Sequence, residues 1–342
     1  MRPALKRVLK VAAFPVFHLT VFTLFAVATF PFERLKERLV AEFNARQPAG
    51  SGTRIAIEDL SGYWLSGIEA KGVTLTTPRP AAEDGKPQDP TVVTLEHVYA
   101  RVSILRMMFG TTAVSFGAKA FGGEISGKTS DARGDRTVNL ELEGVDVSGL
   151  PLLAAAVGLP MQGSLTGTVD LILPEQKLSK AEGKIELSIT ELTIGDGKAK
   201  VQNTIALPRL SAGDFELSAE AEDGRLKIAK FGTQGQDIVV ASDGSIRLRE
   251  PFDQSVAELT LRFQFTDAYK NKNDITRGLF GAPGSTMPGL FDLDGKNRRA
   301  KRPDGFYAWR VTGPLAQLDA QPAPLGSTGA AESLRGSRGF IR

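Results

Sequence analysis

The most chemically suggestive stretch is Gly122-Gly123-Glu124-Ile125-Ser126-Gly127-Lys128-Thr129, which matches the phosphate-binding formula G-x-x-x-x-G-K-[ST] at every fixed position. Such a loop works because its glycine-rich turn runs into a helix whose N-terminal N–H groups face the phosphates. Here the chain continues Ser130-Asp131-Ala132-Arg133-Gly134-Asp135 and then alternates from Thr137 to Glu143. Alternation of that kind is a strand, so the helix that phosphate binding needs has no place to start. The match is read as coincidence, as is the integrin-type tripeptide Arg133-Gly134-Asp135 in a polar turn.

Other chemistry is scarcer still. Cysteine is absent, which excludes disulfide frameworks and thiol catalysis. Only His18 and His97 are available, so a histidine-rich metal site is excluded too. The chain contains no G-x-S-x-G elbow, no HExxH and no EF-hand loop, and its carboxylates are spread along strand faces rather than paired. No catalytic, cofactor-binding or metal-ligating residue is therefore assigned, and the chain is read as no enzyme. His97 is taken as a structural histidine. Tyr63 and Trp64 are expected to pack as core anchors, with ligand stacking the alternative for Trp64. A net charge of +3 gives nucleic-acid binding no compositional support.

The elements that would position any site are mostly strands. Between about Phe121 and Phe265, glycines recur at a pitch of about twenty residues: Gly123, Gly144, Gly163, Gly183, Gly224 and Gly244, with Asn203 at the missing step. Such residues opening alternating runs predict hairpin turns. Val138, Leu140 and Leu142 alternate with polar neighbours, as do Leu165, Val169 and Leu171, then Phe215, Leu217, Ala219 and Ala221, and finally Ala257 through Phe265. The phase slips at Thr190-Glu191, which predicts a bulge. One face of the sheet is apolar and the other wet.

Ahead of this body, residues 11–32 carry no formal charge and are rich in Leu, Val and Phe, enough to cross a hydrocarbon core of about 30 Å. Arg2, Lys6, Arg7 and Lys10 precede it, so a cytoplasmic N-terminus (1–10) and an exported body are expected. Ala26-Val27-Ala28 offers a signal-peptidase site, but the apolar stretch continues through Phe30 and Phe32, favouring an uncleaved anchor. His18 lies in this span with no charged partner there. Residues 33–47 read as an amphipathic stalk helix, with Leu35, Leu39 and Phe43 four apart. Strands are expected over Thr53 to Thr77 and Thr91 to Arg106, with an exposed loop over Pro78 to Pro90. Pro151 to Pro160 supplies one short helix. Lys296, Arg298, Arg299, Lys301 and Arg302 form a basic loop, solvated or facing anionic lipid or an acidic partner. A last strand covers Phe306 to Val311, the β domain spans 53–320, and 323–342 is an expected disordered tail.

The expected fold is thus an all-β body, a long antiparallel meandering curved sheet forming a trough or a sandwich, behind an N-terminal transmembrane helix. Helical cover for the apolar face is scarce, so an acyl chain or an apolar partner segment could lie along it; the alternative is a self-filled β core that serves as a scaffold.

Five stretches stand out together: Phe30-Pro31-Phe32, Gly62-Tyr63-Trp64-Leu65-Ser66-Gly67-Ile68, Leu150-Pro151-Leu152-Leu153, Leu159 to Gly167, and Asp304-Gly305-Phe306-Tyr307. In these the chain resembles the type II secretion system protein N family (general secretion pathway protein N), with a looser likeness to AsmA-like proteins. The resemblance covers most of residues 11–320. It implies a single-pass accessory component of the bacterial inner membrane, with its body in the periplasm and other type II secretion components and membrane lipids as partners. It brings no catalytic residues. The AsmA-like likeness implies lipid binding or transfer instead.

Overall fold

The computed structural model describes residues 13–15, 17–18, 21–22, 25, 29–47, 52–64, 66–78, 89–150, 159–197, 200–201, 205–206, 208–281 and 287–323. The chain divides into two compact units, residues 1–108 with 114–119, and residues 109–113 with 120–342.

The first unit begins with helix α1 (Phe32–Arg46), which carries Glu33 in its first turn and Arg46 in its last, each favourable to the helix dipole. Strands β1 (Arg54–Tyr63), β2 (Gly67–Thr77) and β3 (Thr91–Val102) follow, then the one-turn helix α2 (Ile104–Met108). β1 and β2 pair antiparallel from Arg54 opposite Thr76 to Tyr63 opposite Gly67. β2 and β3 pair from Thr77 opposite Thr91 to Gly67 opposite Arg101. Leu35 and Leu39, one turn apart on α1, pack against Leu60, Ala70 and Val73 of this sheet, and Lys36 Nζ donates to the Glu58 carbonyl (3.2 Å). The expected stalk is therefore a packed helix: its apolar stripe lies half-buried on the nearest sheet. The β run expected to reach Arg106 stops at Val102, where α2 takes over.

Strand β4 (Thr112–Ala120) contributes to both units. The second unit continues with β5 (Gly123–Ala132), β6 (Asp135–Asp146), β7 (Met161–Leu173) and β8 (Glu182–Ile194). A small hairpin of β9 (Lys200–Val201) and β10 (Ile205–Ala206) interrupts the series. Then come β11 (Leu210–Glu222), β12 (Arg225–Gln234), β13 (Ile238–Arg247) and β14 (Val256–Phe265). Four short helices follow, α3 (Asp267–Lys270), α4 (Asp274–Phe280), α5 (Leu290–Leu293) and α6 (Gly295–Ala300). β15 (Tyr307–Pro314) and β16 (Asp319–Pro322) close it. Apart from the β9–β10 hairpin, strand order in the resulting fourteen-stranded sheet is chain order, and every strand-to-strand register recorded is antiparallel. The meander is as expected. Among the described residues the only other sheet is the two-stranded hairpin, so no second layer builds a sandwich.

The glycine pitch has a different meaning from the one expected. Gly224 does sit in a tight hairpin turn, with Asp223 at φ 46° and Gly224 at φ 69°. Gly163, Gly183 and Gly244 instead lie inside β7, β8 and β13. Gly183 has φ 136°, and a Cβ there would fall onto the Asp170 carbonyl oxygen of the neighbouring strand. Only a residue without a side chain tolerates both the conformation and the close approach. Asn203 lies outside the described residues. The expected bulge is present: the β8–β11 register shifts opposite Leu192, and Glu191 adopts φ 54°.

Apolar side chains of the second unit gather in two buried clusters. One is built on Val145, Val147, Leu165, Ile189, Leu192, Leu210 and Tyr269, the other on Leu173, Ala181, Ala219, Ala221, Leu226 and Leu248. Helices α3 to α5 bring Tyr269, Phe280 and Phe291 over Phe263, Phe265 and Tyr307, with ring centroids 4.6 Å apart for Phe265 and Phe280 and 5.1 Å for Phe291 and Tyr307. Helical cover is thus greater than the sequence suggested, at the β14–β15 end of the sheet. The helix expected over Pro151 to Pro160, the loop over Pro78 to Pro90 and the tail beyond 323 lie wholly or largely outside the described residues. Pro322 pairs with Trp309, and the buried Ala323 donates its N–H to the Ala308 carbonyl (2.9 Å). The sheet therefore continues past 320.

Among the described residues no helix is long and apolar enough to cross a membrane. Just under half of the expected span over 11–32 lies outside them.

Candidate functional site

Gly122 forms a turn and Gly123 to Thr129 lie within β5, where Lys128 stands exposed opposite Asn139 of β6. No helix follows, so the backbone donors that would hold a phosphate are spent on strand pairing. Arg133 and Gly134 (φ 54° and 96°) are the two turn residues joining β5 to β6. Behind them Arg136 clamps Asp131 with two bonds, Nε to Oδ1 at 2.7 Å and a second guanidinium nitrogen to Oδ2 at 2.9 Å. This pair holds the Asp131 carboxyl below its ordinary value.

His97 is engaged structurally. Its Nε2 lies 3.2 Å from Glu69 Oε2, while Ser61 Oγ donates to Glu69 Oε1 at 3.2 Å. Glu69 sits between the other two, so Ser61 meets a carboxylate rather than an imidazole. A hydrolase needs the hydroxyl on the base itself. The His97 bond, chiefly, lowers the Glu69 pKa, with Ser61 and Lys71 helping and burial opposing. Tyr99 tilts against His97 and stacks on Tyr63 with centroids 4.9 Å apart, and the site of a Cβ on Gly117 is filled by the Tyr99 ring. His18 Nδ1 donates to the Phe14 carbonyl one turn back (2.9 Å).

Tyr63 packs as expected; Trp64 does not. It is 70 % exposed at φ 55°, with the Arg101 guanidinium 5.6 Å from its ring centroid. Ile104, Leu105, Met107 and Met108 of α2 are exposed as well. Nothing in the sequence pattern singled out the α2 residues.

The basic stretch 296–302 is mostly helical rather than a loop. Asp294 caps α6 by accepting from the N–H groups of Lys296 (2.6 Å) and Asn297 (3.4 Å), and the arginines fall in its last turn, where cations are favoured. Lys301 pairs with Asp292 at 2.5 Å, and Tyr307 donates to the same carboxylate at 2.6 Å. Burial, then that bond, raise the Tyr307 pKa, while burial pushes Tyr269 up to about 12. Tyr269 donates to the Pro208 carbonyl (2.8 Å), and the buried Asp237 holds Lys272 (3.0 Å) and the Ser211 N–H (2.8 Å). These groups are satisfied and tie the helices to the sheet. Among the described residues, no three His, Asp or Glu side chains gather as metal ligands would.

What the second unit offers is a surface. Leu140, Val169, Ile185, Ala219, Ile228, Gly244, Leu259 and Val311 stand directly opposite one another from β6 to β15. Ala219 is buried, whereas Leu140, Val169, Ile185, Ile228, Leu259 and Val311 are each half-buried. Eight strands at the usual spacing make this row about 34 Å long. The opposite face carries Glu186, Glu216, Glu220 and Lys230, the last two in ion pairs with Lys184 and Glu216 respectively.

Compared with protein families, with curated proteins and with solved structures, the chain matches none.

Proposed function

We propose that this chain is an inner-membrane-anchored accessory component of a type II protein secretion system, a non-catalytic scaffold whose β body stands in the periplasm. The observation that supports a scaffold is the meander itself, a sheet that presents faces and edges and, among the described residues, gathers no metal-ligand cluster. The uncharged stretch 11–32 supplies the tether, and Phe14, Phe17, Phe22 and Phe25 within it are exposed, as side chains meant for lipid would be. Partners on this reading are other secretion components and membrane lipids.

The half-buried apolar row supports a second reading, an AsmA-like lipid-binding or lipid-transfer module that takes an acyl chain along the sheet. Native mass spectrometry of the detergent-extracted full chain separates the two. Secretion components travelling with the chain support the scaffold. Phospholipid adducts that Ile185→Asp removes support the lipid module. A bare monomer contradicts both.

A further inference from the structure

The first unit carries an apolar outcrop at one end. Phe32, the last residue of the uncharged stretch, packs its ring against Gly62, where a Cβ would meet it at 3.0 Å. Gly62 pairs with Ile68, and the adjoining Gly67 pairs with Arg101 of β3. Ser66 and Val102 are joined by two bonds, Val102 N–H to the Ser66 carbonyl at 3.1 Å and Ser66 Oγ to the Val102 carbonyl at 2.6 Å. Two residues later α2 begins. The end of the tether, the β1–β2 turn with Trp64, and α2 thus share one end of this sheet.

That end is what water should least favour. Trp64 is 70 % exposed, and α2 shows Leu105 at 67 % and Met108 at 76 %, with Ile104 and Met107 also outward. Trp64 is held in a left-handed conformation (φ 55°) that a bulky residue seldom adopts. Arg101 lies over its ring, and Arg106 sits among the apolar residues of α2. Tryptophan beside arginine, flanking short apolar segments, is the composition that settles at the headgroup level of a bilayer.

We propose that Trp64 and α2 form a second membrane contact, with Ile104, Leu105, Met107 and Met108 entering the bilayer interface and Arg101 and Arg106 meeting anionic headgroups. The occupant is the lipid surface to which 11–32 tethers the chain, so the proposal rests on that span. It holds the first unit flush against the membrane rather than free to swing.

The chain has no cysteine, so single substitutions report unambiguously. Full-length Met108→Cys, labelled with an environment-sensitive NBD dye, is reconstituted into phosphatidylcholine vesicles containing phosphatidylglycerol. The control is Arg54→Cys, exposed at the other end of β1, about 30 Å away by strand rise. Dye at 108 should shift to the blue, brighten several-fold and be quenched by spin-labelled lipid, while dye at 54 stays as in water. Leu105→Asp should weaken the shift at 108. Co-flotation with vesicles but identical, water-like emission at both sites overturns the contact while leaving the tether intact. Failure to co-float overturns the tether and the contact together. A shift at 108 that depends on protein concentration and not on lipid assigns the outcrop to a second copy of the chain, which also overturns the proposal.

Discussion

At the scale of single residues, conformation decided what hydrophobicity could not. Trp64, expected to pack as a core anchor, instead stands 70 % exposed just past the last residue of β1. The bulge at Glu191 was legible because a slip of phase leaves its trace in the residue pattern itself. The role of Gly183 was not, because what forbids a side chain there is the Asp170 carbonyl of the neighbouring strand, thirteen residues earlier in the chain. Gly183→Ala should therefore destabilise the second unit by about 1–3 kcal/mol, seen as a lower urea midpoint with the slope unchanged. Glu69 makes a prediction with a definite sign. Its folded pKa lies below the ordinary 4.5, so its bonds stabilise the fold above that value and lose their effect as pH falls through the folded pKa. Glu69→Gln should be less stable than the parent near neutrality, and the gap should close in acid. Denaturation at a series of pH values checks this; a gap that widens in acid would reverse the assignment.

Among elements, long ones were readable and short ones were not. Strands of ten to thirteen residues repeat their alternation often enough to stand out. Helices of four to seven residues, such as α3 to α6, complete two turns at most and show no period. Their signals are local: Asn273 with Thr276 forms a reciprocal capping box on α4, and Asp294 caps α6. These helices matter because they roof the sheet with aromatic rings. Tyr269, fully buried, is the keystone, stacked on Phe265 at 5.7 Å. Tyr269→Ala should cost about 3–5 kcal/mol and loosen β14 and β15 before β6 and β7, which amide hydrogen exchange would resolve. Uniform loss of protection across all strands would place the keystone elsewhere.

For the whole molecule, chain order was legible because hairpin follows hairpin, leaving one simple topology. What covers the apolar face was not, since that depends on which half-buried side chains find partners. The surviving surfaces are the row from Leu140 to Val311 in the second unit and the outcrop at Trp64 and α2 in the first. Both present apolar side chains that are half-buried or exposed. The alternation that builds the sheet is also what leaves it one apolar face, on which the proposed role rests.

The most direct measurement of that role is the amount of exported enzyme in the culture medium of a bacterium lacking this chain. The account predicts that secreted activity falls, that the same enzymes accumulate in the periplasm, and that the full chain restores export while a version without residues 11–32 does not. Unchanged export in the deletion strain would contradict it.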